Sequence, residues 1–182
     1  MDIEIRQDKA SIGDTYQIFT STKRTHSAFT ILREGFIVLH LQKFPSDQII
    51  LTIEGLIGIF GPKYLIEKGS HTYLFKTVSW YKGHYQCEVG DKMYDIYAHD
   101  ELKYSVYCNQ TMIAFWQGQA IVLLEGDKYK ITLNANADKA LIIAFCLIID
   151  RYYHNENSTF SFNLGRFFPE TKLFDKDWQA LG

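Results

Sequence analysis

Proline is nearly absent from this chain: three residues in 182, none adjacent to another. With no Pro-rich or Gly/Ser-rich stretch there is no linker, so no domain boundary is placed and a single domain is expected. Cysteine is equally sparse. Cys87, Cys108 and Cys146 are odd in number and widely spaced, which excludes a disulfide framework and fits a reducing compartment. Charge of either sign is not in excess, the net being -2. The chain as a whole therefore has no electrostatic pull toward nucleic acid or anionic membrane, and no nucleic-acid partner is expected. Met1-Asp2-Ile3-Glu4-Ile5-Arg6 has neither a basic n-region nor an apolar h-region, so no signal or transit peptide is expected and the predicted location is cytoplasmic. Finally, no apolar run approaches the about 20 residues a spanning helix needs, and no transmembrane segment is expected.

What the chain does contain is 47% hydrophobic and 15% aromatic residues, enough for a substantial core. One stretch stands apart: Ala140-Leu141-Ile142-Ile143-Ala144-Phe145-Cys146-Leu147-Ile148-Ile149, flanked by Asp138-Lys139 and Asp150-Arg151. A helix apolar all round must be enclosed on every side, and since the run is too short for lipid it predicts a buried core helix. Asn134, Asn136 and Asp138 are N-cap types, and Asp138 brings negative charge to the first turn, where the macrodipole favours it. The polar, turn-rich segment His154-Asn155-Glu156-Asn157-Ser158 marks the end. A dozen to eighteen residues make a helix roughly 18 to 27 Å long, the height of a small β-barrel.

The segments before the run are short, rich in Tyr, Phe, Ile and Thr, and separated by turn signals. Candidate strands cover 15–20, 28–32, 36–43, 48–53, 56–60, 63–67, 72–80, 85–89, 93–98, 104–107, 111–116, 120–124 and 129–133. No helical pattern separates consecutive strands. About a dozen of them describe a closed antiparallel barrel or a sandwich and exclude a βαβ protein.

The residues of the second half carry a family resemblance. Tyr94-Asp95-Ile96-Tyr97-Ala98-His99, Lys103-Tyr104-Ser105-Val106-Tyr107-Cys108-Asn109, Met112-Ile113-Ala114-Phe115-Trp116, Asp127-Lys128-Tyr129-Lys130-Ile131-Thr132-Leu133-Asn134, the apolar run, and then Phe162-Asn163-Leu164-Gly165 and Phe174-Asp175-Lys176-Asp177-Trp178 together resemble the bacterial tubby C-terminal-like proteins. These are distant relatives of the LURP-one-related and phospholipid-scramblase families. The resemblance covers about Tyr85 to Trp178; before Tyr85 it is one of strand content and length. It implies a mainly β fold: a closed antiparallel barrel of about twelve strands filled by the hydrophobic helix near the C-terminus. Closure would remove the edges of many short strands, and the helix would fill a barrel too wide to fill itself. Any binding site is then expected on an outer groove, a barrel end or a loop surface.

Chemistry-bearing patterns are few. Gly55, Gly58 and Gly61 have the wrong order for a phosphate loop and no helical pattern follows them, which leaves turns and close strand packing. His84 and Cys87 have no second pair at zinc spacing, and His26, His71 and His99 are scattered, so surface histidines and no metal are expected. The cysteines read as small buried hydrophobes rather than nucleophiles. Asp150-Arg151 is expected to lock the helix end to barrel loops through charge-assisted bonds. The tail bearing Glu170, Lys172, Asp175, Lys176 and Asp177 is expected to be a solvated segment held by Phe174 and Trp178 against the barrel.

No catalytic residue, cofactor or metal is therefore expected, and the leading reading is a non-enzymatic binding or scaffold protein. Membrane or lipid binding is what the wider superfamily suggests, since eukaryotic tubby domains bind phosphoinositides and scramblases act at membranes. The candidate anion contacts are Lys23 and Arg24, placed with His26 in one loop; no phosphoinositide-binding motif maps onto this chain residue by residue. A candidate protein-contact patch is Trp80-Tyr81 with Phe167-Phe168. The alternative is a small-ligand-binding protein or enzyme with a site at a barrel end.

Overall fold

The computed structural model describes residues 1–8, 14–56, 63–79, 82–100, 102–119, 127–156 and 172–182. Twelve strands precede one helix: β1 (Asp2–Asp8), β2 (Thr15–Thr20), β3 (Lys23–Arg33), β4 (Phe36–Lys43), β5 (Ile49–Leu56), β6 (Lys63–Lys68), β7 (His71–Ser79), β8 (His84–Val89), β9 (Lys92–His99), β10 (Lys103–Cys108), β11 (Thr111–Gln119), β12 (Lys128–Leu133) and α1 (Lys139–Glu156). Each strand pairs antiparallel with the next, and β1 pairs with β12 to close the barrel. Each of the twelve described strands thus has two neighbours, and none of them is left with an open edge.

Two-residue periodicity builds the wall. Ile3 and Ile5 are buried while Glu4 and Arg6, which alternate with them, form an ion pair outside at 2.5 Å. The same alternation buries Tyr16 and Ile18, Leu39 and Leu41, Tyr85 and Cys87, Ile131 and Leu133, one face of each strand turning inward. Tight turns join them. Glu34 and Gly35 both have positive φ, 52° and 85°, the signature of the two-residue turn whose twist suits a hairpin. Gly83 is needed for space as well: its φ is 57° and a Cβ there would lie 2.4 Å from Ala98 Cβ.

The inward side chains pack on α1. Every residue from Leu141 to Arg151 is buried, and Phe145 meets Phe75 at 5.7 Å and Tyr94 at 5.6 Å between ring centroids. At 18 residues the helix is about 27 Å long. Asp138 is its N-cap, accepting the Leu141 N–H at 3.3 Å and pairing with Lys68 on β6. The expected plug is present, and it runs further than expected, through His154 to Glu156.

Several sequence expectations change. β1 was not among the candidate strands: its alternation of Ile with Asp, Glu and Arg is the right period written in residues depleted from strands. β3 begins at Lys23 rather than at residue 28, so Lys23, Arg24 and His26 are strand residues and not a loop. The strand candidate at 120–124, and residues 57–60 of the candidate at 56–60, lie outside the described residues, as do Gly58, Gly61, Phe162 to Gly165 and Glu170.

Candidate functional site

The lumen holds α1, whose residues join the inward-facing strand residues in one buried cluster. Among the described residues its charged feature is at the helix exit, where Asp150 and Arg151 are 4% and 7% exposed. The Tyr16 hydroxyl of β2 donates to Asp150 Oδ2 at 2.7 Å, and the Tyr129 hydroxyl of β12 donates to Oδ1. Asp150 is thus tied to wall strands on either side of β1. Burial first, and then the Asp150 charge, pushes both phenols well above their usual range. Burial also raises the Cys87 thiol to about 12 and pushes up that of Cys146, which leaves both protonated and inert at neutral pH.

The rim where α1 enters the barrel carries the predicted anion contacts. Lys23 is exposed at the start of β3. Arg24 beside it is half-buried, its guanidinium 4.2 Å over the Phe44 ring, and its Nε is buried without a hydrogen-bond partner among the described residues. As strand neighbours the two alternate across β3. Two cations outside the predicted anion contacts join them: burial, then Lys139 and Lys43, hold the His26 imidazole below its ordinary value. Among the described residues Lys23, Lys43 and Lys139 make no ion pair. Phe44 and Ile49, on the adjoining turn and strand, are 41% and 50% exposed.

The outer face of β8 to β11 is the second feature. His84 is not a surface histidine: its Nε2 lies 2.8 Å from Asp95 Oδ1, both side chains are largely buried, and its ring stacks on Tyr97 at 4.5 Å. Gln86 Nε2 donates to the same carboxylate oxygen at 2.8 Å. His99 is buried too, with Nε2 2.7 Å from the Ser105 hydroxyl. That spacing suits a nucleophile and its base, yet Ser105 is fully buried and the pair is roofed by Phe174, whose ring is 5.2 Å from that of His99. Residues 172–182 form this roof. Phe174 and Trp178 both pack on Phe115, and Trp178 Nε1 donates to the Met112 carbonyl at 3.1 Å, as expected for a tail held by these two aromatics. Lys172 sits 3.5 Å from the Tyr107 ring centroid and 5.6 Å from that of Tyr97. Pairings of this kind depend on register across strands, which single-segment patterns do not carry.

A depression of about 590 Å³ lies over the β1–β12 seam, lined by Asp2, Glu4, Ser21, Thr22, Lys128 and Lys130 among others. Across the pair Glu4 faces Lys130, while Asp2 faces Thr132 and Lys128 faces Arg6. Among the described residues no group of three or more His, Cys, Asp or Glu could hold a metal ion, and no helix is long and apolar enough to cross a membrane. Trp80, Tyr81, Phe167 and Phe168 lie outside the described residues. The molecule belongs to the class of closed, twelve-stranded antiparallel barrels with a helix inside. Comparison with family models, with curated proteins and with solved structures returned no match.

Proposed function

We propose that this protein is a non-enzymatic binding or scaffold protein that acts through the outside of its plugged barrel. One observation carries the reading: α1 fills the lumen with apolar side chains, the place where an open barrel would hold a ligand. The same architecture supports the proposal that the chain is a tubby C-terminal-like protein, since a twelve-stranded barrel around a hydrophobic helix is what that resemblance implies. The contact proposed is with the surface of an anionic membrane, at the helix-entry rim. Lys23, Lys43 and Lys139, with the exposed Phe44 and Ile49, place cations beside apolar side chains on one rim. Interfacial contact with anionic lipid uses that combination, each cation contributing about 1 kcal/mol near the surface.

Vesicle flotation tests it. The protein is expected to float with phosphatidylserine-containing vesicles at low salt and not with phosphatidylcholine alone, and a Lys23→Glu/Lys43→Glu variant is expected to stay at the bottom. Absence of flotation on anionic vesicles at low salt removes the membrane reading.

A further inference from the structure

Three nitrogen bases from three elements meet where α1 enters the barrel: His26 of β3, Lys43 of β4 and Lys139 in the first turn of α1. Register pairs His26 with Ile18 of β2 and with Lys43, and directly paired residues share a face of the sheet. Ile18 is buried in the core, so His26 and Lys43 lie on the lumen side of the wall, at its helix-entry end. The imidazole is half-buried, with Nδ1 3.0 Å from Thr25 Oγ1. β2 brings it no charge, only Ile18 and, through Thr25, the Thr20 hydroxyl. β3 carries Lys23 and Arg24, β4 carries Lys43, and α1 carries Lys139. The acids of this rim are engaged elsewhere: Asp138 with Lys68 and the Leu141 N–H, and Asp47 with the Gln42 amide. Among the described residues His26 has no carboxylate partner. Burial first, then Lys139 and Lys43, lowers its pKa, so the ring is neutral at pH 7.

We propose, resting on the membrane contact above, that His26 makes that contact proton-linked: the helix-entry rim grips an anionic lipid surface more tightly as pH falls, because the surface supplies the negative charge that the rim withholds from the imidazole. A surface potential of about −30 to −50 mV favours a positive charge by roughly three- to sevenfold. A surface that prefers the imidazolium must, by reciprocity, bind better once the ring is protonated. The direction follows from the two states of the rim. Free in solution, His26 takes up its proton below the ordinary value of about 6.5; against anionic lipid it takes it up at a higher pH. Affinity therefore rises as pH falls through the membrane-bound value and levels off below the free one. Lys23, Lys43 and Lys139 hold their charge throughout, so they supply a constant attraction to which His26 adds a conditional one.

The test is flotation of the full chain with phosphatidylserine-containing vesicles at one ionic strength and at about pH 7.5, 6.5 and 5.5, with folding checked by circular dichroism at each. The wild type is expected to bind roughly three- to sevenfold more tightly at the lowest pH than at the highest. His26→Asn, which cannot ionise, is expected to bind with one affinity at all three. His71→Asn removes an exposed histidine from the strand end that pairs with Lys68 and is expected to keep the wild-type dependence, any titration of the lipid being common to all three proteins. If the wild type is unfolded at the lowest pH, NMR of the His26 ring above that pH takes its place, and the ring is expected to protonate at a higher pH with anionic bicelles than without. Flotation with an affinity that does not change with pH, a change that survives His26→Asn, or a ring whose titration anionic lipid leaves in place overturns the linkage and leaves the membrane contact standing. No flotation at any pH removes the membrane contact itself, and the linkage with it.

Discussion

Asp150 has the most to lose from a single change. Its carboxylate accepts two phenol hydroxyls, that of Tyr16 buried and that of Tyr129 part-buried, and Asp150→Ala would strand both. Each buried donor left unsatisfied costs about 1 to 3 kcal/mol, so chemical denaturation is expected to show a loss of roughly 2 to 4 kcal/mol, against about 1 kcal/mol for Tyr16→Phe. The same site predicts alkaline behaviour. Tyr16 and Tyr129 have folded-state pKa values raised above the ordinary value of about 10. Their contribution is complete below that pH and is lost as pH rises beyond it, because the unfolded chain then releases protons that the folded chain retains. Phenolate absorbance of these two residues is expected to appear only together with unfolding. The opposite limb belongs to His26 and His40, both held below the ordinary value of about 6.5, principally by burial. Their contribution is present above that value and declines as pH falls through it, since the unfolded state then binds protons the folded state refuses. A stability profile from pH 7 to pH 5 is expected to fall, and to fall less in His26→Asn. At Gly83 the argument is steric. Gly83→Ala places a Cβ against Ala98 at positive φ and is expected to cost roughly 2 kcal/mol in a thermal or denaturant melt.

At the scale of elements, α1 and the wall depend on each other. Phe145 packs on Phe75 and Tyr94, and Phe145→Ala is expected to cost about 3 to 5 kcal/mol. Leu141→Asp or Ile148→Asp would bury a charge with no partner and is expected to abolish cooperative folding. The helix was legible in the sequence because ten consecutive apolar residues between charged pairs admit few environments. The strands were legible wherever alternation used Tyr, Ile, Phe and Thr. They were not legible where the outward positions were charged, as in Asp2-Ile3-Glu4-Ile5-Arg6, or where a hairpin extends to a polar rim, as at Lys23 to Ser27. The candidate sites fared differently for a related reason. Lys23 and Arg24 are adjacent in sequence but differ in burial, Lys23 being exposed and Arg24 half-buried, while His84, Asp95 and Gln86 meet only because β8 and β9 pair in one register. Lys139 reaches His26 only because the helix enters at that rim.

The whole molecule is a ring of consecutive hairpins closed by one pairing between distant segments, β1 with β12. Everything proposed about its outer surface rests on that ring being shut around α1. Removing residues 1–8 would expose the edges of β2 and β12, and such a truncation is expected to aggregate rather than bind a ligand in its lumen. Native-state hydrogen exchange of the α1 amides tests the closed ring most directly. A helix sealed within the wall can exchange only when the wall opens, so the amides from Ile142 to Ile149 should exchange with the free energy of global unfolding and share its dependence on denaturant. Exchange of those amides at a lower free energy, insensitive to denaturant, would mean that the plug leaves a standing barrel. The lumen would then be a binding site after all.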